Sequence, residues 1–301
     1  MIHILPISSR TIDKIIRVDD VRKYYAVYQY QLGTGSYGKV QLAQNIETGE
    51  KLAVKIQSYK TREEKSDLLN EKRQLRNIGS YYGSLDDRKN QVFYLFMRFV
   101  KGISIEKLYL KPPSFSFDGK EVYDMIRSAF YALKSIHDLG VVHNDVHEGN
   151  WIYDPNTKNS RFVDLAFATA LESGVKSQKI SLSMWKRWRV SCYKAPESNV
   201  ERGYATDIYQ LGFMSLRTLL IFFGTDKTLQ YKCIYSKWLC SKAMQGIQEK
   251  YSTQATDPFP NMYLANKPLY KMIPLLFRMM DPDKTKRPTI EQAISQLEDL
   301  C

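Results

Sequence analysis

Asp145 and Asn150 stand five residues apart in His143-Asn144-Asp145-Val146-His147-Glu148-Gly149-Asn150, directly after the apolar pair Val141-Val142. A carboxylate and a carboxamide at that spacing suit a loop in which the first meets an attacking hydroxyl and the second holds a metal ion on a nucleotide. Partners with matching chemistry lie in order along the chain. Gly33-Thr34-Gly35-Ser36-Tyr37-Gly38 and Lys55 precede the loop, and Asp164 follows it. Together they describe phosphoryl transfer.

These residues need elements to hold them. Residues 24–44 are rich in Tyr, Val and Leu and are interrupted by three glycines, a pattern of strand, tight turn and strand. A turn at 45–50 and a third strand at 51–57 follow. The glycine-rich turn therefore lies between strands. A dinucleotide-binding turn requires a helix after it and a parallel sheet, whereas a hairpin can fold its N–H groups over phosphates. An ordinary glycine-rich hairpin gives the same pattern. Lys55 sits in the buried-looking run Leu52-Ala53-Val54-Lys55-Ile56 and needs an anion. Thr61-Arg62-Glu63-Glu64 is a capping box, so a helix begins there. Its inward face carries Leu68, Glu71 and Leu75. A carboxylate on an apolar stripe needs a cationic partner, because an unpaired buried charge is costly. Lys55 and Glu71 answer each other's requirement.

A further strand is predicted at 91–100, after a polar turn at 86–90. Beyond Gly102 the pattern becomes helical. Val122, Met125, Ile126, Ala129, Phe130, Leu133 and Ile136 repeat at helical spacing, and more helices are predicted at 206–222, 268–280 and 288–299, the last opening on Pro288-Thr289. Residues 1–23 carry no strong pattern and read as a lead-in. The expected class is α+β: a small sheet lobe over 24–100, a connector near 98–102 and a larger helical lobe over 101–301, with a cleft between lobes as the ligand site.

The 301 residues suffice for such a core. Lys plus Arg total 44 against 32 Asp plus Glu, a formal +12 that favours acidic partners: a nucleotide, an acidic substrate or an anionic surface. Four cysteines form no C-x-x-C pair, and the four histidines are scattered, so a disulfide framework or zinc site is not expected and a reducing compartment is. The longest apolar run, 213–223, contains Arg217 and falls short of the roughly 18 residues that span a bilayer. No transmembrane segment and no secretory signal are expected.

In chain order, Leu32-Gly33-Thr34-Gly35-Ser36-Tyr37-Gly38-Lys39-Val40, Ala53-Val54-Lys55, Glu71, His143-Asn144-Asp145 with Asn150, Asp164-Leu165-Ala166, Ala195-Pro196-Glu197, Asp207-Ile208-Tyr209-Gln210-Leu211-Gly212 and Arg287-Pro288-Thr289 match one pattern. Over residues 24–299 the chain resembles a eukaryotic-type protein kinase. The resemblance implies the bilobal kinase-like fold, with a small antiparallel-sheet N-lobe and a larger helical C-lobe, and it implies ATP and Mg²⁺. Lys55, held by Glu71, would grip the α- and β-phosphates under the turn formed by Gly33, Gly35, Ser36 and Gly38. Asp145 would orient the acceptor hydroxyl and take its proton. Asn150 and Asp164 would bind Mg²⁺, a hard cation suited to oxygen ligands. Leu32, Val40, Ala53 and Ile152 would sandwich adenine, with Met97 as gatekeeper and the Arg98 carbonyl and Val100 amide at the adenine edge. Glu197 and Arg287 resemble the family's buried ion pair, and Asp207 its anchor for the catalytic loop. His137 reads as a satisfied core histidine.

The chain departs from the family pattern in places. Asn144 replaces the arginine that pairs with a phosphorylated activation segment, so activity without such phosphorylation is expected. His147 stands where serine/threonine kinases carry lysine, and Gly149 where tyrosine kinases carry arginine. His147 is a candidate donor to the γ-phosphoryl group, or a loop histidine facing solvent. Val190 replaces a threonine beside Ser191. Ala166 replaces a glycine and makes positive φ costly, which would restrict a flip of this loop. Leu165 can fill an apolar slot. Part of 222–265 is expected to be an insertion.

The basic aromatic cluster Trp185, Lys186, Arg187, Trp188, Arg189 suggests an acidic protein substrate, with nucleic acid not expected as a partner. The implied activity is transfer of the γ-phosphoryl group to Ser or Thr hydroxyls of proteins, with autophosphorylation. His-Asn-Asp-x-His-x-Gly-Asn also resembles the loop of aminoglycoside and choline phosphotransferases, and a nucleotide-gated scaffold is a third reading. The loop further resembles kinases that bacterial pathogens inject into host cells, which would place the protein in the cytoplasm or a host cytosol.

Overall fold

The computed structural model describes residues 11–35, 38–110, 117–179, 193–223 and 267–300. Ser36, the Trp185–Arg189 cluster, Val190, Ser191 and nearly all of the expected insertion lie outside them. The chain divides into two compact units. One comprises Met1–Val100 with Leu165–Ala168, the other Lys101–Asp164 with Thr169–Cys301.

The first unit is built on a six-stranded sheet. Its strands are β1 (Ile12–Val18), β2 (Lys23–Gly35), β3 (Gly38–Asn45) and β4 (Lys51–Ser58), then, after α1 (Arg62–Asn77), β5 (Tyr81–Asp87) and β6 (Val92–Arg98). The order is β1-β2-β3-β4-β6-β5, every neighbour antiparallel. The β3–β4 turn forms because the Asn45 side chain accepts from the N–H groups of Glu47 (2.9 Å) and Thr48 (3.2 Å). One face of the sheet buries Val27, Ala43, Leu52, Val54 and Phe96, together with Ile16 and Val18 of β1. The capping box predicted for α1 is present, Thr61 with Glu64, and the helix buries Leu68, Glu71, Gln74 and Leu75.

Two strands depart from the sequence reading. The segment 1–23 was expected to be a lead-in, yet it supplies β1 and the start of β2. Only Ile16 and Val18 of β1 are buried, too few for an alternating signal. β5 fully buries only Gly83, with Tyr82 and Leu85 packed part-buried against the core; with Asp86 and Asp87 at its end it offers no clean alternation, and its ladder to β6 sets its form.

The second unit begins with β7 (Ile103–Ser104) and α2 (Ile105–Tyr109). Next come α3 (Gly119–His137), β8 (Val141–Val142), β9 (Trp151–Asp154), β10 (Asn159–Phe162), β11 (Thr169–Ala170), β12 (Ser177–Lys179), a 3-10 turn (Pro196–Asn199), β13 (Glu201–Gly203), α4 (Tyr204–Phe223), α5 (Lys267–Met279) and α6 (Ile290–Glu298). β10, β9 and β7 form one small sheet, β11 pairs with β8, and β12 with β13. α3 and α6 open on capping boxes at Asp118 and Thr289. With its sheet-based first unit and helical second unit, the molecule has the expected α+β class. Among the described residues, no helix is long and apolar enough to cross a membrane.

Candidate active site

In the first unit, strand register gathers most of the predicted nucleotide residues. Lys55 stands opposite Val40 on β3 and Leu95 on β6, while Ala53 stands opposite Leu42 and Met97. Directly opposed residues, and residues two apart, share a face. Val40, Ala53, Lys55 and Met97 therefore share one. Leu42 joins them there, and Leu32 packs against the cluster of Ala26, Tyr28 and Leu42. The Lys55 ammonium donates to Glu71 Oε2 at 2.8 Å, with both residues buried. Gly35 pairs with Gly38 at the mouth of the β2–β3 turn. A Cβ on Gly33 would meet no described atom within 4 Å, so packing does not demand glycine at that place. Arg98 ends β6, its N–H bonded to the Ser80 carbonyl at 2.9 Å, and Val100 closes the unit. Leu165 is buried. The Asn70 side chain on α1 donates to the Ala168 carbonyl at 3.1 Å, tying residues 165–168 to that helix.

In the second unit the loop 143–150 is held by one stripe of α4. Asp207, Gln210 and Arg217 recur at offsets of three and seven, which puts them on one helix face. The Asp207 carboxylate accepts from the His143 N–H (2.7 Å), the Asn144 N–H (2.7 Å) and the His137 ring (2.9 Å). This is the loop anchor and the satisfied histidine that the sequence suggested. Gln210 Oε1 accepts from the Val146 N–H at 3.0 Å. Arg217 Nη1 reaches Glu148 Oε1 at 2.7 Å, both buried. The Tyr193 hydroxyl donates to the same carboxylate at 2.7 Å, and the Arg217 guanidinium lies 5.4 Å over the Tyr109 ring. Burial alone would lower the Arg217 guanidinium, but the charge and hydrogen bond of Glu148, together with the Tyr193 and Tyr109 phenols, outweigh it and hold it above its ordinary value. Burial, then the same carboxylate, pushes the Tyr193 phenol up, so it stays protonated.

Glu148 and Tyr193 gave no sequence signal. Arg217 gave one, as a cation inside an apolar run that could not stay unpartnered.

The loop positions its chemical groups tightly. Asn150 Nδ2 donates to the Asp145 carbonyl (3.0 Å) and to Asp145 Oδ2 (3.2 Å). His147 Nδ1 accepts from the Gly149 N–H at 3.0 Å, which leaves the neutral ring's proton on Nε2, 3.5 Å from Asp145 Oδ2. His143 Nδ1 accepts from the Asp145 N–H (3.3 Å), and its Nε2 donates to the Val163 carbonyl (3.1 Å). Burial lowers the pKa of this imidazole from its ordinary 6.5. Asp164 follows Val163 with φ +65°. The left-handed residue of this motif is thus Asp164, which tolerates that conformation better than most, and Ala166 is not among the residues at positive φ. Ile152 lies in β9, opposite Arg161 and Ser104. Arg287 grips both Glu197 oxygens, at 2.6 and 2.8 Å, forming the expected ion pair.

A sequence profile of the protein kinase domain matches residues 26–297. The chain belongs to the protein kinase domain family. It is 30% identical over 158 residues to calcium-dependent protein kinase 5 of Plasmodium berghei, covering 50% of this chain and 27% of that protein. It is 25% identical over 286 residues to the mouse hormonally up-regulated neu tumor-associated kinase, covering 90% and 36%. It is 28% identical over 195 residues to calcium/calmodulin-dependent protein kinase type 1 of Macrobrachium nipponense, covering 61% and 53%. The chain thus spans between about a quarter and a half of the length of these relatives.

Proposed function

We propose that this kinase domain transfers the γ-phosphoryl group of ATP, with Mg²⁺, to Ser or Thr hydroxyls of proteins, itself included. The observation that carries the reading is the Asp145 carboxylate, oriented by Asn150 at 3.2 Å on a loop whose backbone is pinned to Asp207. A base so held can accept the proton of a hydroxyl as that oxygen attacks phosphorus and the bond to the leaving ADP breaks. Lys55, steered by Glu71, takes the α- and β-phosphates, and the N–H groups of Gly33, Gly35, Ser36 and Gly38 cover them. Leu32, Val40, Ala53, Met97 and Ile152 enclose adenine, whose edge meets the Arg98 carbonyl and Val100 amide. The Nε2–H of His147 is available to a γ-phosphoryl oxygen.

Asn150 and Asp164 fit Mg²⁺ by chemistry. Asn150 uses its Nδ2 on Asp145, leaving its Oδ1 as a hard oxygen, and Asp164 supplies a carboxylate. Held there, the ion would supply positive charge to offset that on the phosphate oxygens. The net charge of +12 supports an acidic substrate, and the cysteine pattern supports a reducing cytosol.

Incubating the pure protein with γ-labelled ATP and Mg²⁺, in the presence of casein, choline and an aminoglycoside, tests the reading. Label is expected as phosphoserine or phosphothreonine in both proteins, and in neither for Asp145→Asn. Label only in phosphotyrosine refutes the acceptor class. Label only in a small alcohol makes it a small-molecule phosphotransferase, and calorimetric ATP binding without any label makes it a scaffold.

A further inference from the structure

An ion cluster in the first unit has no part in that chemistry. Asp20 lies in the turn between β1 and β2. Its carboxylate accepts from Lys72 Nζ on α1 (3.1 Å), from the Ser84 N–H on β5 (3.3 Å) and from the Tyr81 hydroxyl, with Arg76 Nη2 at 3.7 Å. Lys72 Nζ also donates to Ser84 Oγ at 2.7 Å, and the Arg76 guanidinium covers the Tyr81 ring at 4.5 Å. The turn sits close on β5: a Cβ on Gly83 would come within 2.8 Å of Val18 Cγ1 and 2.9 Å of Val21 Cγ2. Only glycine permits that approach.

Lys72 follows Glu71 directly. One residue advances about 100° around a helix of 3.6 residues per turn, so while Glu71 points at Lys55, Lys72 reaches the β1–β2 turn. An isolated surface ion pair contributes little. Here one carboxylate gathers donors from a helix and a strand 52 and 64 residues away along the chain, which resists rotation of α1 about its axis.

We infer that Asp20 is a positioning residue: by holding Lys72 and Arg76 it sets the rotation of α1 and keeps Glu71 on Lys55. The N-terminal strand is thus a built-in brace for this helix. The inference rests on the reading of Lys55 as the phosphate grip. Asp20 is not among the residues proposed to meet nucleotide or acceptor.

The test compares full-length wild type with Asp20→Ala, Asp20→Glu, Lys72→Met, the Asp20→Ala/Lys72→Met double variant, and Ile15→Thr as an exposed control on β1. Asp20→Ala should lower kcat roughly tenfold, part of the roughly 10²-fold that a 1 Å misplacement can cost, with KM for the acceptor unchanged. Amide exchange across residues 68–75 should quicken. The double variant should be no worse than Asp20→Ala alone, because both remove one contact, and Asp20→Glu should recover part of the rate. The inference is overturned if Asp20→Ala keeps wild-type kcat and exchange, or if Ile15→Thr causes the same loss. If wild type transfers no phosphate, the functional reading fails, and the exchange of residues 68–75 in Asp20→Ala decides the brace by itself: faster supports it, unchanged overturns it.

Discussion

Asn144 occupies a backbone position that few side chains accept. Its φ is +65° and it is fully buried; asparagine tolerates the left-handed region where most residues are strained. Its N–H is held by Asp207, and its Nδ2 donates to Thr169 Oγ1 at 3.2 Å. Thr169 also pairs with Val142, so β11 is held by its backbone to β8 and by its side chain to the loop that follows. An arginine would bring a charge that wants a phosphate; a carboxamide bonded to a neutral hydroxyl needs none. Phosphatase-treated protein should therefore keep its full kcat, and recovery only after rephosphorylation between 164 and 197 would refute the tether. Asn144→Ala should destabilise by about 1–3 kcal/mol in urea unfolding, since it strains the backbone and removes a buried hydrogen bond. On the proposed function, the consequence at Asp145 is catalytic. The Asn variant keeps shape and hydrogen bonding but cannot take a proton, so kcat should fall roughly 10²- to 10⁴-fold with an unchanged melting temperature. A wild-type rate in that variant would exclude Asp145 as the base.

At the scale of elements, α4 does for the loop 143–150 what sheet register does for Lys55. Three polar side chains on a buried helix reach four loop residues, and the innermost contact is ionic. Removing one partner of a buried pair leaves the other charge uncompensated, at a cost of about 3–5 kcal/mol. Arg217→Met should lose that much in denaturant unfolding, and adding Glu148→Gln should recover most of it. Equal loss in the single and double variants would mean that Arg217 matters only through packing. The same contrast explains what was legible beforehand. α1 was readable because a capping box and an apolar stripe are local signals, and Glu71 because a carboxylate on that stripe demanded Lys55. The loop was readable from residue types at short spacing. Arg217 showed as a misfit in an apolar run, but its partner lies 69 positions earlier, and no local rule connects Arg217 to Glu148. β1 and β5 were invisible because they owe their form to ladder bonds and to the grip of Asp20, which only the assembled sheet supplies.

For the whole molecule, the formal charge of +12 grows as pH falls, and self-repulsion alone would weaken the fold in acid. A buried histidine and a partly buried carboxylate add to that in a definite order. Burial lowers His143, so the unfolded chain binds a proton more readily than the native one below the ordinary 6.5. Its contribution is complete above that value and is lost as pH falls through the lower native pKa. Burial raises Glu197, but the Arg287 hydrogen bonds, a backbone hydrogen bond, the Arg287 charge and the Thr206 hydroxyl together lower it more, for a net depression below 4.5; its contribution is complete above 4.5 and is lost in stronger acid. Thermal stability should therefore hold from pH 8 to about 6.5, decline from there, and decline again below about 4.5. Charge repulsion is common to every variant, so subtraction isolates the histidine. His143→Phe loses the Val163 bond and should melt lower at pH 7.5, yet the gap to wild type should narrow steadily from pH 6.5 towards 5, because the variant has no imidazole to protonate. Melting curves across that range decide it: a gap constant with pH would mean that His143 titrates alike in both states, and that the loop beside Asp145 is open to water in a way its hydrogen bonds contradict.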